Sequence, residues 1–236
     1  MQQQPLPDQI FVSIDTEKLG PRLGDPLIQI GVTVGHADKP HPLDYRRWSL
    51  EPVRLTNDGN WPYRIHSFDG TVMPAITNKS DQNTMERFWS KHMDILLKIQ
   101  SESVSMETGL IGFANYYNKL FDGNKRDVTI LCDNPAFDLG AIDYHLFITG
   151  IRTLPIKQAG LMFVACEDPH SPFLSEEQKI QIDQTSNEAA QNWLKHQQSQ
   201  KKEGNIAHFA DYDSLVNYYK FFATKTILSP QNQNRK

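Results

Sequence analysis

An alternation of apolar and other residues near the start of the chain predicts its first strand. Segment 10–17 reads IFVSIDTE, in which every second residue from Ile10 to Ile14 is apolar and β-branched. Segment 27–34, LIQIGVTV, predicts a second buried strand, and the glycine- and proline-rich loop before it predicts a β-hairpin. A third strand is predicted around residues 44–50. The chain therefore opens with strands that we expect to pair in antiparallel fashion.

Apolar residues at helical spacing predict helices in the rest of the chain. Two short apolar runs, 128–132 and 161–165, predict further strands between them. This order predicts an α/β fold, with antiparallel first strands and then parallel strands in a mixed sheet flanked by helices. The predicted helices cover residues 84–100, 106–121, 135–149 and 176–202, and a final helix runs to Leu228.

Two of these helices begin with clear capping signals. Asn134 is a favourable N-cap residue, and Pro135 suits the first helical position. Ser175 and Gln178 have the spacing of a capping box, so a largely exposed, polar helix is expected to start there.

Composition narrows the class of protein. Of 236 residues, 39% are hydrophobic and 22% are charged, as in an ordinary globular protein. The net charge of −4 argues against binding nucleic acid through a basic surface, but not against an enzyme that meets phosphate through metal ions. The start of the chain resembles no signal peptide, and no apolar run is long enough to span a membrane. Two cysteines without a disulfide or metal-finger pattern predict a reducing, cytoplasmic compartment.

The first strand ends in two carboxylates on one face. Asp15 and Glu17 are two residues apart, and alternate side chains of a strand point the same way. Like charges this close repel each other, so a proton or a cation must lie between them. Mg²⁺ or Mn²⁺ is the simplest cation for oxygen ligands. The alternative is that both residues are merely solvated where the strand meets a loop.

Further acidic residues and a histidine occur at the starts of later helices. Asp138 lies in the first turn of the helix after strand 128–132, and Asp213 follows His208 at the start of the final helix. Strand ends and helix starts meet at one end of an α/β sheet, so four carboxylates there would hold two divalent ions. A nearby histidine can take the proton from an attacking water. Taken singly, Asp138 could instead complement the helix dipole, and His208 could be a packed loop residue.

Three motifs together resemble the DEDDh 3′–5′ exonucleases of the ribonuclease-H-like fold, which include proofreading exonucleases, oligoribonuclease, RNase T and phage-type exonucleases. The first motif is Asp-x-Glu at Asp15 and Glu17, and the second is Asn-x-x-Phe-Asp at 134–138. The third, His-x-x-x-x-Asp, runs from His208 to Asp213. The resemblance covers residues 10–228 and implies hydrolysis of nucleic acid from its 3′ end, releasing nucleoside 5′-monophosphates with two ions of Mg²⁺ or Mn²⁺.

The resemblance also implies a role for each motif carboxylate. Asp15 would bridge both metal ions, and Glu17 and Asp213 would hold the ion that carries the nucleophilic water. Asp138 would support the second ion, and His208 would be the general base. Asp211 does not fit the motif spacing, and Asp133 is expected to be a cap or a supporting residue.

The resemblance further implies contacts with the 3′ end of a single-stranded nucleic acid. They fall on Lys18, where the family usually has threonine, and on Leu19, Gly20, Asn134 and Phe137.

By the same resemblance, one exonuclease domain spans residues 10–228. It would carry insertions near 51–79 and 169–204, a flexible segment at 1–9 and a polar tail at 229–236. The sequence does not distinguish RNA from DNA as substrate, and it leaves open whether the chain acts alone or as a homodimer.

Two other functions fit parts of the pattern. A catalytically silent nucleic-acid-binding module could keep the fold, but an idle site gains nothing from clustered like charges. A glycosidase with two carboxylates would leave the remaining motifs unexplained.

Overall fold

The structure is a computed structural model that describes the chain in seven stretches. The predicted insertion at 51–79 lies almost wholly outside them, as do parts of segment 169–204, most of both chain ends, and His208. No helix in the described part of the chain is both long and apolar enough to cross a membrane. The described residues are 6–51, 82–121, 123, 125–151, 160–163, 174–197 and 209–228.

The described part of the chain contains five strands, which form one mixed sheet in the order β3-β2-β1-β4-β5. β1 pairs with β2, and β2 with β3, in antiparallel register, whereas β1–β4 and β4–β5 are parallel. The predicted mixed sheet, antiparallel first and parallel afterwards, is therefore confirmed. The strands are β1 (Gln9–Lys18), β2 (Leu27–His36), β3 (Pro42–Ser49), β4 (Asp127–Cys132) and β5 (Gly160–Phe163).

Helices cover both faces of this sheet. One face packs against the third and fourth helices, and the other against the sixth, on which the fifth helix rests. The described helices are α1 (Gln82–Arg87), α2 (Met93–Glu102), α3 (Met106–Leu120), α4 (Asp138–Thr149), α5 (Glu176–Gln197) and α6 (Ala210–Ile227).

The predicted single helix at 84–100 is wrong, because a 3₁₀ turn at Trp89–Lys91 separates α1 from α2. Trp89 is fully buried against Leu19 and Ile28, and its indole nitrogen donates to the carbonyl of Lys18 at 3.0 Å. This tertiary contact outweighs the helical preference of the local sequence.

The start of α4 also differs from the prediction. Residues 135–137 form a turn, and the helix begins at Asp138 rather than directly after Asn134. Asn134 still caps this turn, because its side-chain oxygen accepts from the amide of Phe137 at 3.3 Å. For α5, the predicted capping box is present, with reciprocal bonds of 2.9 and 3.2 Å between Ser175 and Gln178.

The pleat of β1 decides which side chains meet α6. Even-numbered residues from Ile10 to Ile14 pack into the cluster shared with α3 and α4. Phe11, on the other face, packs against residues of α6. Asp15 and Glu17 are in phase with Phe11, so both carboxylates project towards α6.

The facing side of β2 lets α6 approach very closely. At the start of the helix, the amide of Ala210 donates to the side-chain oxygen of Gln29 at 2.8 Å. Two residues further along β2, a Cβ at Gly31 would overlap the backbone of Ala210. Two residues further again, the hydroxyls of Thr33 and Ser214 are 2.9 Å apart. Gly31 lies opposite its ladder partner on β1, Asp15, so this docking brings the first turn of α6 to the carboxylates.

Candidate metal and nucleic-acid site

The acidic residues of the three motifs line one cleft of about 480 Å³. It lies where β1 ends and α4 begins, and α6 forms a further wall. Residues from three distant segments of the sequence therefore meet in one place. The acidic residues that line it are Asp15, Glu17, Asp133, Asp138 and Asp213.

Asp15, Glu17 and Asp213 form one compact group. Each offers a carboxylate oxygen, and these three atoms lie within 4.8 Å of one another. β1 supplies the first two, and Asp213 comes from the first turn of α6, where its amide donates to the carbonyl of Phe209 at 3.0 Å. The spacing suits ligands that share one small cation.

Burial and mutual repulsion make this group hard to ionise. Burial raises the pKa of Asp15 well above its usual range, and the carboxylates of Asp138, Asp213, Glu17 and Asp133 raise it further. The pKa of Glu17 is raised by burial and then by Asp213 and Asp138. Without a cation, the cluster therefore retains protons that an isolated carboxylate would lose.

Asp138 is held at the start of α4 by three donors. The amide and hydroxyl of Thr16 donate to one of its oxygens at 3.1 and 2.6 Å, and the thiol of Cys132 donates to the other at 3.4 Å. Burial raises the pKa of Asp138 to about 7, against the opposing hydrogen bond from Thr16. These bonds fix the direction of the carboxylate, because Asp138 is also almost fully buried.

Asp138 belongs to a second compact group with Cys132 and Asp133, whose candidate ligand atoms also lie within 4.8 Å of one another. Burial raises the pKa of the Cys132 thiol, and Asp138 and Asp133 add to the shift. The thiol therefore stays protonated and acts as a donor rather than as a thiolate ligand. The available ligands are carboxylate oxygens, a set that fits Mg²⁺ or Mn²⁺.

We expect the affinity for Mn²⁺ to rise with pH through about 7. In the metal-free protein Asp138 keeps its proton up to about pH 7, so a cation must displace it. Through the same raised pKa, Asp138 makes the free energy of unfolding of the metal-free protein highest below about pH 4. This contribution to stability is lost as the pH rises through about 7. Calorimetric titration should show proton release and about a tenfold gain in affinity per pH unit below about 7. An affinity independent of pH would contradict the proton competition.

Asn134 and Phe137, two of the residues predicted to contact substrate, line the cleft. Lys18 is instead buried behind Phe137, with its ammonium 3.7 Å from the centre of that ring. The ammonium also donates to the carbonyl of Arg22 at 3.2 Å. The structure therefore brings Lys18 to the back of the Phe137 ring and not to the lining of the cleft.

Leu19 and Gly20 are buried and do not belong to the described lining of the cleft. Leu19 packs into the cluster around Trp89, and its amide donates to the carbonyl of Pro26 at 2.9 Å. Its side chain therefore contributes to the core beside the site. His208 lies outside the described residues and directly precedes Phe209, the N-cap residue of α6.

Asp211, which does not fit the motif spacing, lies elsewhere on α6. Its buried carboxylate pairs with Arg47 of β3 at 3.4 Å, and Arg47 also pairs with Glu102 at 2.8 Å. Asp211 therefore helps to join α6 to the edge of the sheet.

Sequence reasoning missed four of the cleft residues that the structure describes. Thr16 fixes Asp138, and three residues of α6 share a face with Asp213. The latter three, Val216, Asn217 and Lys220, stand three, four and seven positions after Asp213, a spacing that places them on one side of a helix. This helical spacing from Asp213 was the signal in the sequence that could have identified these three residues.

Comparisons by sequence identify no family. No protein-family model matches the chain. No curated protein matches it at a significant level either.

Comparisons of structure do find similar proteins. In the zinc-bound complex of Escherichia coli exonuclease I with single-stranded DNA, the match has 8% identity and a TM-score of 0.50 and covers 97% of this chain and 42% of the other. A complex of exonuclease I with the inhibitor BCBP matches with 10% identity and a TM-score of 0.50, and the match covers 97% of this chain and 43% of the other. The chain thus spans less than half the length of these proteins. It shares with them the ribonuclease-H-like α/β fold predicted from the sequence.

Proposed function

We propose that this chain is a metal-dependent 3′–5′ exonuclease that releases nucleoside 5′-monophosphates from a nucleic-acid strand. The observation that supports this proposal most strongly is the meeting of Asp15, Glu17, Asp138 and Asp213 in one cleft. These residues come from three segments far apart in sequence, and nothing in the stability of the fold requires them to be together. Such a cluster instead costs stability unless a cation offsets the repulsion.

Charge balance supports two divalent ions. Five carboxylates and one ammonium of the described residues line the cleft, which gives a formal charge of −4 when all are ionised. Asp15, Glu17 and Asp213 would hold one ion, and Asp138 together with Asp15 would hold the other. Bound divalent ions would stabilise the negative charge that develops on the attacking and leaving oxygens of a phosphodiester.

In this proposal the residues of the chain position the strand and move one proton. Asn134 and Phe137 would contact the terminal nucleotide from the turn before α4. His208 would accept a proton from the water that attacks the terminal phosphorus. The bond from phosphorus to the 3′ oxygen of the preceding nucleotide then breaks, and that oxygen takes a proton from solvent to become the new 3′ hydroxyl. The phosphate stays on the 5′ oxygen of the released nucleotide.

We expect His208→Ala to lower turnover by roughly 10²- to 10⁴-fold, the usual effect of losing a general base. Metal affinity should change little, because the carboxylates remain. Rapid-quench kinetics and calorimetric Mn²⁺ binding measure the two quantities separately. His41→Ala is a suitable control, since His41 lies in the turn between β2 and β3. Loss of metal binding in His208→Ala would make this histidine a ligand, and unchanged turnover would exclude it as the base.

The likeness to exonuclease I supports a single strand as the substrate, since that protein was solved with single-stranded DNA. A digestion panel of single- and double-stranded RNA and DNA, each with Mg²⁺ or Mn²⁺, tests the proposal. We expect stepwise shortening of at least one single-stranded substrate, and none when Asp15 and Asp213 are both replaced by asparagine. If the chain binds strands but cleaves none, it is a silent binding module.

A further inference from the structure

One positively charged residue lies among the acidic residues of the cleft. Lys220 is the only described lining residue with a cationic side chain, and only 6% of its surface is exposed. It stands seven positions after Asp213, so both lie on one face of α6, about 10 Å apart along the helix axis. Burying a lysine side chain is costly, so its presence at this wall calls for an explanation.

The ammonium of Lys220 is held from α5. Its nitrogen lies 3.2 Å from a carboxylate oxygen of Asp183, whose side chain is 60% exposed. α5 packs along α6. Lys220 therefore lines the cleft and pairs with a carboxylate at the protein surface.

We propose that Lys220 binds a backbone phosphate of the nucleic-acid strand, next to the phosphate that is cleaved. This inference rests on the proposed exonuclease function. The carboxylates and their cations would bind the terminal phosphodiester. The rest of the strand must then pass along the other walls of the cleft. An ammonium two helical turns away can pair with a further phosphate, for which lysine is a common point-charge ligand. Asp183 positions Lys220 until the strand arrives.

A purely structural role for Lys220 makes different predictions. If the Lys220–Asp183 pair only joined α5 to α6, replacing either partner would change stability in the same direction. Because the side chain of Asp183 is 60% exposed, such a pair contributes little, so activity would follow stability or not change at all. If Lys220 binds phosphate, the two substitutions act in opposite directions, because Asp183 carries a charge that repels the strand.

The test compares five proteins: wild type, Lys220→Gln, Lys220→Arg, Asp183→Asn and Lys225→Gln. Lys225 is the matched control, since it lies exposed on the last turn of the same helix. Fluorescence anisotropy measures the binding of labelled oligothymidylate and oligouridylate of about twelve nucleotides, with Ca²⁺ replacing Mg²⁺ to slow cleavage. Steady-state hydrolysis with Mg²⁺ and thermal unfolding are measured on the same proteins.

We expect Lys220→Gln to weaken binding about 10- to 100-fold for the better-bound strand, whatever its bases, and to reduce the salt slope by about 0.7. Lys220→Arg should restore most of the affinity. Asp183→Asn should bind about two- to fivefold more tightly, and Lys225→Gln should match wild type within about twofold.

Two results would overturn the inference while leaving the exonuclease proposal intact. One is a Lys220→Gln protein that binds and cleaves as the Lys225→Gln control does. The other is weaker binding by Asp183→Asn in parallel with Lys220→Gln, together with a loss of stability in both proteins. A wild-type protein that neither binds nor cleaves any strand would instead overturn the proposed function, and this inference with it.

Discussion

Asp15→Asn is expected to abolish hydrolysis and, at the same time, to stabilise the metal-free protein. Asp15 stands at the centre of the acidic cluster, where Asp138, Asp213 and Glu17 each raise its pKa in addition to the effect of burial. Asparagine has nearly the same shape but lacks the charge, so a shared ligand is lost together with the repulsion. Because bound divalent cations stabilise the transition state by several kcal/mol, turnover should fall at least about 10⁴-fold.

The stability gain of Asp15→Asn follows from linkage. A carboxyl whose pKa is raised by folding destabilises the fold at pH values above its usual range, and asparagine removes that cost. We expect the midpoint of thermal unfolding in EDTA at about pH 7.5 to rise by about 3–6 °C, which corresponds to a gain of about 1–2 kcal/mol in the free energy of unfolding. Asp143→Asn makes the same charge change on the exposed side of α4 and should alter neither quantity. A fully active Asp15→Asn protein would contradict its role as a ligand.

Gly31→Ala is expected to have the largest effect on stability among single-methyl changes. The added Cβ would overlap the backbone of Ala210 and Asp211, which cannot rotate away as a side chain can. Either α6 moves off the sheet or the strand bends, at a cost of about 1–3 kcal/mol or more. Since a shift of about 1 Å can cost about 10²-fold in rate, turnover should fall by at least that factor as Asp213 leaves Asp15.

A matched glycine separates this clash from the general effect of replacing glycine. At Gly24 a Cβ would lie 3.4 Å from the hydroxyl of Tyr144, an ordinary contact. Gly24→Ala should therefore unfold within about 1 kcal/mol of wild type and keep full activity. Chemical denaturation and hydrolysis assays on both variants make the comparison. If Gly31→Ala behaved like Gly24→Ala, the close docking of α6 on β2 would be wrong.

The strands and the meeting of the motifs could be predicted from sequence because their signals are local. Alternation of apolar residues in 10–17 and 27–34 reports a strand directly, and motif spacing identifies Asp15 and Asp138. The same alternation in β2 also carried a second signal. Gln29, Gly31 and Thr33 occupy one face as small or polar residues, a pattern that indicates a partner docked closely on a strand.

Other features depended on partners distant in sequence and could not be predicted. The break at Trp89 exists because that indole finds a carbonyl at Lys18 and a buried cluster around Leu19. Leu19 is buried because it packs with Trp89 in that cluster. The pairing of Lys220 with Asp183 also depends on how α5 lies against α6. Only the position of Lys220 on the same helix face as Asp213 could be inferred from the sequence.

The most direct measurement of the central claim follows the products of one labelled strand over time. A single-stranded oligonucleotide with a dye on its 5′ end is incubated with the protein and Mn²⁺, and samples are analysed by sequencing gel and mass spectrometry. The account predicts a ladder that shortens one nucleotide at a time from the 3′ end, release of nucleoside 5′-monophosphates, and no reaction in EDTA. Internal cuts, release of the dye as a mononucleotide before the strand has shortened, or an intact strand at all metal concentrations would contradict it.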